Sequence, residues 1–221
     1  MSDYSPPRQK RISNCGLRIS NFDRLCGRQR FRDFGFRICG ELILKGGLDQ
    51  LNSLPAEKAR AELVKCCGSK RWASALAEKR PFANLAELFA AADRIWWSLG
   101  RRDCLEAFRA HPKIGAKKAT TARSIEARRW SAEEQSGTSC ASPETIVALA
   151  QANRDYERRF GFIFIVCATG KSVEEMLGIL KERLQNDPET ELRIAAEEQR
   201  KITRLRLEKL LKSPRQDKLS H

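Results

Sequence analysis

Histidine is scarce in this chain of 221 residues: two occur, and one of them, His221, is the last residue. Eight cysteines are present but none falls in a C-x-x-C pair, so no cluster has the spacing of a zinc site and no metal is expected. Long apolar runs are missing too. No stretch approaches the roughly 18 residues a membrane-spanning helix needs, which excludes an integral membrane protein of that kind. No secretory leader opens the chain, and most of Cys15, Cys26, Cys39, Cys66, Cys67, Cys104, Cys140 and Cys167 sit inside apolar patterns. The expectation is reduced thiols in a cytoplasmic protein. The ending Lys218-Leu219-Ser220-His221 is not the Ser-Lys-Leu address read for peroxisomes, which agrees with that placement.

What is present is an ordinary globular composition, 41% hydrophobic and 32% charged, at a length that suits one domain with an appendage. The net charge of +14 invites an anionic partner: nucleic acid, a membrane surface or a small acid. Its distribution weakens the first two. Residues 1–46 hold ten basic and four acidic residues, and residues 193–215 hold eight basic and three acidic. Between and around them the charge is nearly balanced. There is no helix-turn-helix, zinc or RNP-like motif to go with the charge.

Residues 1–46 are rich in arginine, contain Pro6-Pro7, end at Gly46-Gly47 and show no sustained apolar period. They read as a poorly ordered basic extension, either an upstream start or an arm for an anionic partner. From Leu51 the period becomes helical. Ser53 before Pro55 suggests an N-cap, with Leu63, Val64 and Cys67 buried up to Gly68. Trp72 and Leu76 mark a second helix, and Asn84 caps a third in which Leu88, Phe89, Ala92, Ile95, Trp96 and Leu99 recur at three- and four-residue steps. Asp103 with Glu106 suggests a capping box for a short helix that runs to His111.

Ser142-Pro143 opens a helix with Ile146, Leu149, Ala150, Tyr156 and Phe160 on its apolar face. Ser172 with Glu175 opens another, and after a turn at Asn186-Asp187-Pro188 a long last helix runs to just before Pro214. Phe162 to Cys167 is an unbroken apolar run that fits a strand or a buried helical piece equally well. The pattern predicts an all-α compact bundle of about seven or eight helices: a basic extension over 1–46, a helical domain over 47–214 and a tail over 215–221.

Four places could hold chemistry. His111 stands where Pro112 ends a helix, a position that suits a proton-transfer residue or a structural histidine stabilised by the helix dipole. Ser131 and Glu134 form an S-x-x-E box that is either purely structural or, with Gln135, a helix start able to hold an anion. The run from Phe160 to Ala168, bracketed by Gly161 and Gly170, is core or a main-chain surface for a planar ligand. Arg204 and Arg206 must point in different directions on one helix, so one can be solvated while the other forks a carboxylate.

Taken together, the order His111-Pro112-Lys113-Ile114-Gly115, then Ser131-Ala-Glu-Glu134-Gln135-Ser-Gly, then Tyr156 through Ala168, then Asn186-Asp187-Pro188, then Lys201 to Leu207 resembles the OHCU decarboxylases. These enzymes act on 2-oxo-4-hydroxy-4-carboxy-5-ureidoimidazoline in urate degradation. The resemblance covers roughly residues 50–212 and includes Leu54-Pro-Ala-Glu and Arg80-Pro-Phe; Lys113 stands where arginine is common. It implies an all-helical, homodimeric, cofactor-free carboxy-lyase that yields (S)-allantoin from a small anionic ureidoimidazoline. It also implies that His111 and Glu134 are catalytic, and that Pro112, Ser131, Gln135, Phe164, Ile165, Val166, Cys167, Ala168 and Arg206 bind substrate, with neither nucleic acid nor membrane as a partner. The competing reading is a basic helical module that binds nucleic acid or another macromolecule, with a structural His111.

Overall fold

The computed structural model describes residues 42–112, Trp130 and residues 142–213. Among these residues there are eight helices and no strand, which is the all-α bundle the periodicity predicts. They are α1 (42–53), α2 (Ala56–Cys67), α3 (Lys70–Glu78), α4 (Leu85–Ser98), α5 (Arg101–Phe108), α6 (Pro143–Phe160), α7 (Val173–Arg183) and α8 (Pro188–Lys212). The 25-residue α8, about 38 Å long at 1.5 Å per residue, is the axis of the bundle and packs against α2, α4 and α5. α2 packs extensively on α3, and α6 with α7 forms a hairpin of helices joined through the apolar run.

Local chemistry explains most of the helix starts. Asn84, Ser142 and Asp187 each accept a hydrogen bond from a main-chain N–H of the first turn, and Pro143 and Pro188 occupy first positions that need no donor. Ser172 and Glu175 make the full reciprocal box.

Two expectations at helix starts and one about a buried face are corrected. Ser53 does not cap α2. It closes the last turn of α1, where its Oγ donates to the Gln50 carbonyl, and Pro55 precedes α2. Asp103 is the third helical residue of α5, and its carboxylate accepts from the Gly100 N–H at 3.3 Å. Ile146 and Ala150 face solvent, so the buried face of α6 is Leu149, Ala152, Tyr156 and Phe160.

The helix α1 was not legible in the sequence, and its described residues begin at 42, ahead of the boundary expected at 46/47. Leu48 and Leu51 bury its inner face. Gly47 lets it approach α8 closely: a Cβ there would lie 2.0 Å from the Leu211 carbonyl oxygen. The obstacle is main chain and cannot rotate away. Gly47→Ala should therefore destabilise the fold by about 1–3 kcal/mol, the usual scale for overpacking, read as a lower denaturant midpoint with an unchanged m-value.

Two tryptophans tie the helices together through their indole N–H groups, Trp72 to the Ala92 carbonyl and Trp96 to the Ala196 carbonyl, each at 3.0 Å. Around Tyr156, the rings of Phe160, Phe162 and Phe164 stack at 4.7, 5.8 and 5.3 Å between centroids. Phe162 reaches Phe108 of α5 at 5.3 Å, so this aromatic layer joins the α6–α7 hairpin to the helix that ends at His111. Trp130 is buried in the same core.

Candidate active site

The α5 helix finishes in a tightened turn. The N–H of Ala110 bonds to the Ala107 carbonyl and that of His111 to the Phe108 carbonyl, both at 3.1 Å, and Pro112 has no N–H with which to continue. Against this end presses the end of α2. Gly68, in the left-handed conformation that caps α2, lies so close that a Cβ there would sit 2.5 Å from the Ala110 Cβ. His111 is thereby set in the interior with 8% of its surface exposed.

Beside it lies Arg206 of α8, 2% exposed, with Nη2 at 3.5 Å from the imidazole Nδ1. Arg204, two residues earlier, is exposed and lies over the Phe89 ring at 4.5 Å, so the expected divergence of the two arginines is what the helix produces. A guanidinium only donates, so Nδ1 of a neutral His111 accepts and the imidazole proton resides on Nε2. Burial first, and the adjacent Arg206 charge second, push the histidine down to about 3, while a hydrogen bond with Gln199 opposes them. The imidazole is neutral at physiological pH, the form able to accept a proton.

Gln199 and Thr203 were missed by sequence reasoning. Both are buried on α8, at spacings of four and three residues leading to Arg206, which places all three on one helix face. The Gln199 amide Nε2 donates to the Cys67 carbonyl at 3.3 Å and to Thr203 Oγ1 at 3.1 Å. A polar residue recurring at helical spacing among Ile202, Leu207 and Leu210 was the available signal. The neighbouring vicinal thiols are not nucleophiles: burial pushes Cys66 up strongly and Cys67 to about 12.

The apolar run is neither the strand nor the helical piece that its composition allowed. Residues 163–168 are irregular, and side chains supply bonds that a ladder or helix would have made. Arg183 Nη1 donates to the Ile165 carbonyl at 2.8 Å, the Cys167 N–H donates to Glu198 Oε2 at 2.7 Å, and Lys171 Nζ donates to the Cys167 carbonyl at 2.9 Å. Phe164, Ile165, Val166 and Ala168 are buried, and Cys167 is half-buried.

Of the residues picked out in the sequence, His111 and Arg206 are brought together, with Pro112 half-buried next to His111. Phe162, two residues before the stretch Phe164 to Ala168, packs against Phe108 of the helix that ends near His111. Ser131, Glu134 and Gln135 lie outside the described residues. Among the described residues no group of three or more histidine, cysteine, aspartate or glutamate side chains is placed to hold a metal, and no helix is long and apolar enough to cross a membrane.

A buried neutral histidine against a buried arginine puts a group that can accept a proton beside one that can hold an anion. The family model described as OHCU decarboxylase matches residues 52–208, which contain both. The chain belongs to the OHCU decarboxylase family. The uric acid degradation bifunctional protein TTL of Arabidopsis thaliana is 42% identical over 146 residues, which is 66% of this chain but 45% of that protein. The chain thus spans less than half of that relative. The 2-oxo-4-hydroxy-4-carboxy-5-ureidoimidazoline decarboxylase of Amia calva is 32% identical over 142 residues, 64% of this chain and 81% of that one. A crystal structure of OHCU decarboxylase in the presence of (S)-allantoin superimposes with a TM-score of 0.60 at 40% identity, covering 69% of this chain and 98% of that one. Family membership and the helical bundle therefore agree with the resemblance read from the motifs.

Proposed function

We propose that this chain decarboxylates 2-oxo-4-hydroxy-4-carboxy-5-ureidoimidazoline to (S)-allantoin in urate degradation, without a cofactor. The observation that carries the reading is the buried His111–Arg206 pair, within the stretch matched by the family model. The substrate supplies its own electron sink. When the bond between the ring and its carboxylate breaks, the electron pair can enter the adjacent C=N and CO2 leaves. The ring nitrogen that receives the charge takes one proton, and as the 4-hydroxyl gives up its own proton to become the ring carbonyl, a proton delivered from one face to the ureido-bearing carbon completes the product and sets its chirality. The protein need only orient the ring, hold the anion and move the proton.

In this reading Arg206 forks the substrate carboxylate, a task its planar guanidinium performs with two parallel bonds. Neutralising Arg206 in this way removes one of the two causes that keep His111 unprotonated. The histidine becomes basic enough to take a proton and return it as substrate enters. Glu134 supports His111. Ser131, Gln135, Pro112 and the main chain of residues 164–168 hold the ring and the ureido group. The protein acts as a homodimer in the cytoplasm, with the small anionic substrate rather than nucleic acid or membrane as the target of its charge.

The test is to add freshly generated urate-oxidation intermediate to the purified protein and follow the circular dichroism of allantoin. The expected outcome is an (S)-allantoin signal that grows in proportion to protein concentration. A signal no faster than the spontaneous reaction, together with DNA or RNA binding that weakens steeply with salt, would favour the helical binding module instead.

A further inference from the structure

The irregular segment 163–168 has no element of its own, yet its place is fixed by charged side chains that belong to other helices. Arg183, at the end of α7, is 6% exposed and Glu191, in the first turns of α8, is fully buried. Arg183 Nε donates to Glu191 Oε1 at 2.8 Å, and the same oxygen accepts from the Tyr156 hydroxyl. The other carboxylate oxygen accepts from Asn186 Nδ2 at 2.7 Å. With the carboxylate held at both oxygens, the guanidinium is aimed: Nη1 reaches the Ile165 carbonyl at 2.8 Å and the plane lies 4.8 Å from the Phe164 ring centroid. Two residues on, Glu198 takes the Cys167 N–H at 2.7 Å, and its other oxygen is held by Lys201 Nζ at 2.6 Å.

A buried ion pair is a poor source of stability compared with apolar packing, so its placement calls for another account. Here the pair meets a main chain that has no ladder to set its register. The Ile165 carbonyl and both main-chain groups of Cys167 are occupied by these side chains, whereas the main-chain groups of Phe164 and Val166 bond to none of the described residues. We infer that Arg183, clamped by Glu191, and Glu198 are positioning residues that fix segment 163–168 so that its remaining main-chain groups meet the substrate. This rests on the reading that the main chain of residues 164–168 touches substrate. Neither residue touches the reacting atoms.

Arg183→Lys keeps a cation beside Glu191, but a single ammonium cannot fork the carboxylate and reach the Ile165 carbonyl in one geometry. Glu198→Ala removes the second anchor at a site near the surface, and so tests the inference even if the Arg183 variant folds poorly. Each is expected to raise KM on the order of tenfold to a hundredfold, the cost of a small misplacement of binding groups, with kcat within about threefold of wild type. Hydrogen exchange supplies the second readout. In the wild-type protein (S)-allantoin should slow exchange in the peptide spanning residues 163–168, and in both variants that protection should be lost. If allantoin does not protect this peptide in the wild type, the main-chain contact itself is wrong and the inference falls with it. If the wild type is protected and both variants keep that protection and the wild-type KM, losing only thermal stability, the anchors are merely structural and the inference alone is overturned.

Discussion

Replacing His111 by asparagine lowers turnover by at least about two orders of magnitude, the scale on which a general acid or base works. Asparagine is the informative replacement because its Oδ1 can still accept from Arg206 Nη2, as Nδ1 does at 3.5 Å, while its amide cannot carry a proton between substrate positions. A variant that turns over at the wild-type rate would take His111 out of the chemistry. The same substitution has a second effect that activity does not report. The folded protein holds this histidine down to about 3, through burial and then the Arg206 charge, whereas an unfolded chain titrates it near 6.5. Between those values the unfolded state binds a proton that the folded state does not. Stability from this group is therefore intact above about pH 6.5 and lost as pH falls, by about 1.4 kcal/mol per unit. Denaturant unfolding across pH 7 to 4 should show the wild type losing stability faster than His111→Asn by about that slope. Parallel curves would mean that the imidazole is not buried in the neutral form.

Arg206→Lys should raise KM by about tenfold to a hundredfold, the worth of one or two charge-assisted hydrogen bonds, with a smaller change in kcat. The lysine retains the charge and so retains most of the electrostatic pressure on His111; what it lacks is the planar fork that matches a carboxylate. At 2% exposure the site offers little room for water to complete the missing bond. An unchanged KM would remove Arg206 from the binding site and leave its contact with His111 as packing. The two predictions are separable, because the first removes proton transfer with the anion holder intact and the second does the reverse.

The positions that sequence reasoning placed well are those where a local rule and the tertiary outcome coincide. Asn84, Ser142 and Ser172 cap helices as their short polar side chains predict, and the step from Arg204 to Arg206 separates a solvated arginine from a buried one. The failures also have physical causes. The helix over 42–53 was hidden by Gly46 and Gly47, which read as chain breakers but include the contact that brings α1 against the Leu211 carbonyl. The run from Phe162 to Cys167 had no assignable period because its bonds come from Arg183 and Glu198, 18 and 31 residues away from their partners. Arg183 and Glu191 carry no mark in the sequence, since nothing local distinguishes a charge that is solvated from one that is clamped inside. The imidazole at His111 was legible as a helix-ending histidine, but its choice between structure and chemistry needed Arg206 to be seen beside it.

The single side chain of Arg80 carries a practical message about where this chain can be cut. Its Nη1 takes the carbonyls of Leu51 at 2.6 Å and Leu54 at 2.7 Å, and its Nε takes that of Ala77 at 3.0 Å, while the Asn52 amide exchanges bonds with both the N–H and the carbonyl of Phe82. The last turn of α1 is thus sewn to the loop after α3. A version trimmed to the family match at residue 52 would strip the guanidinium of a partner and uncover the apolar surface beneath Leu48 and Leu51. Shortened forms made for crystallisation or spectroscopy should therefore begin no later than residue 42.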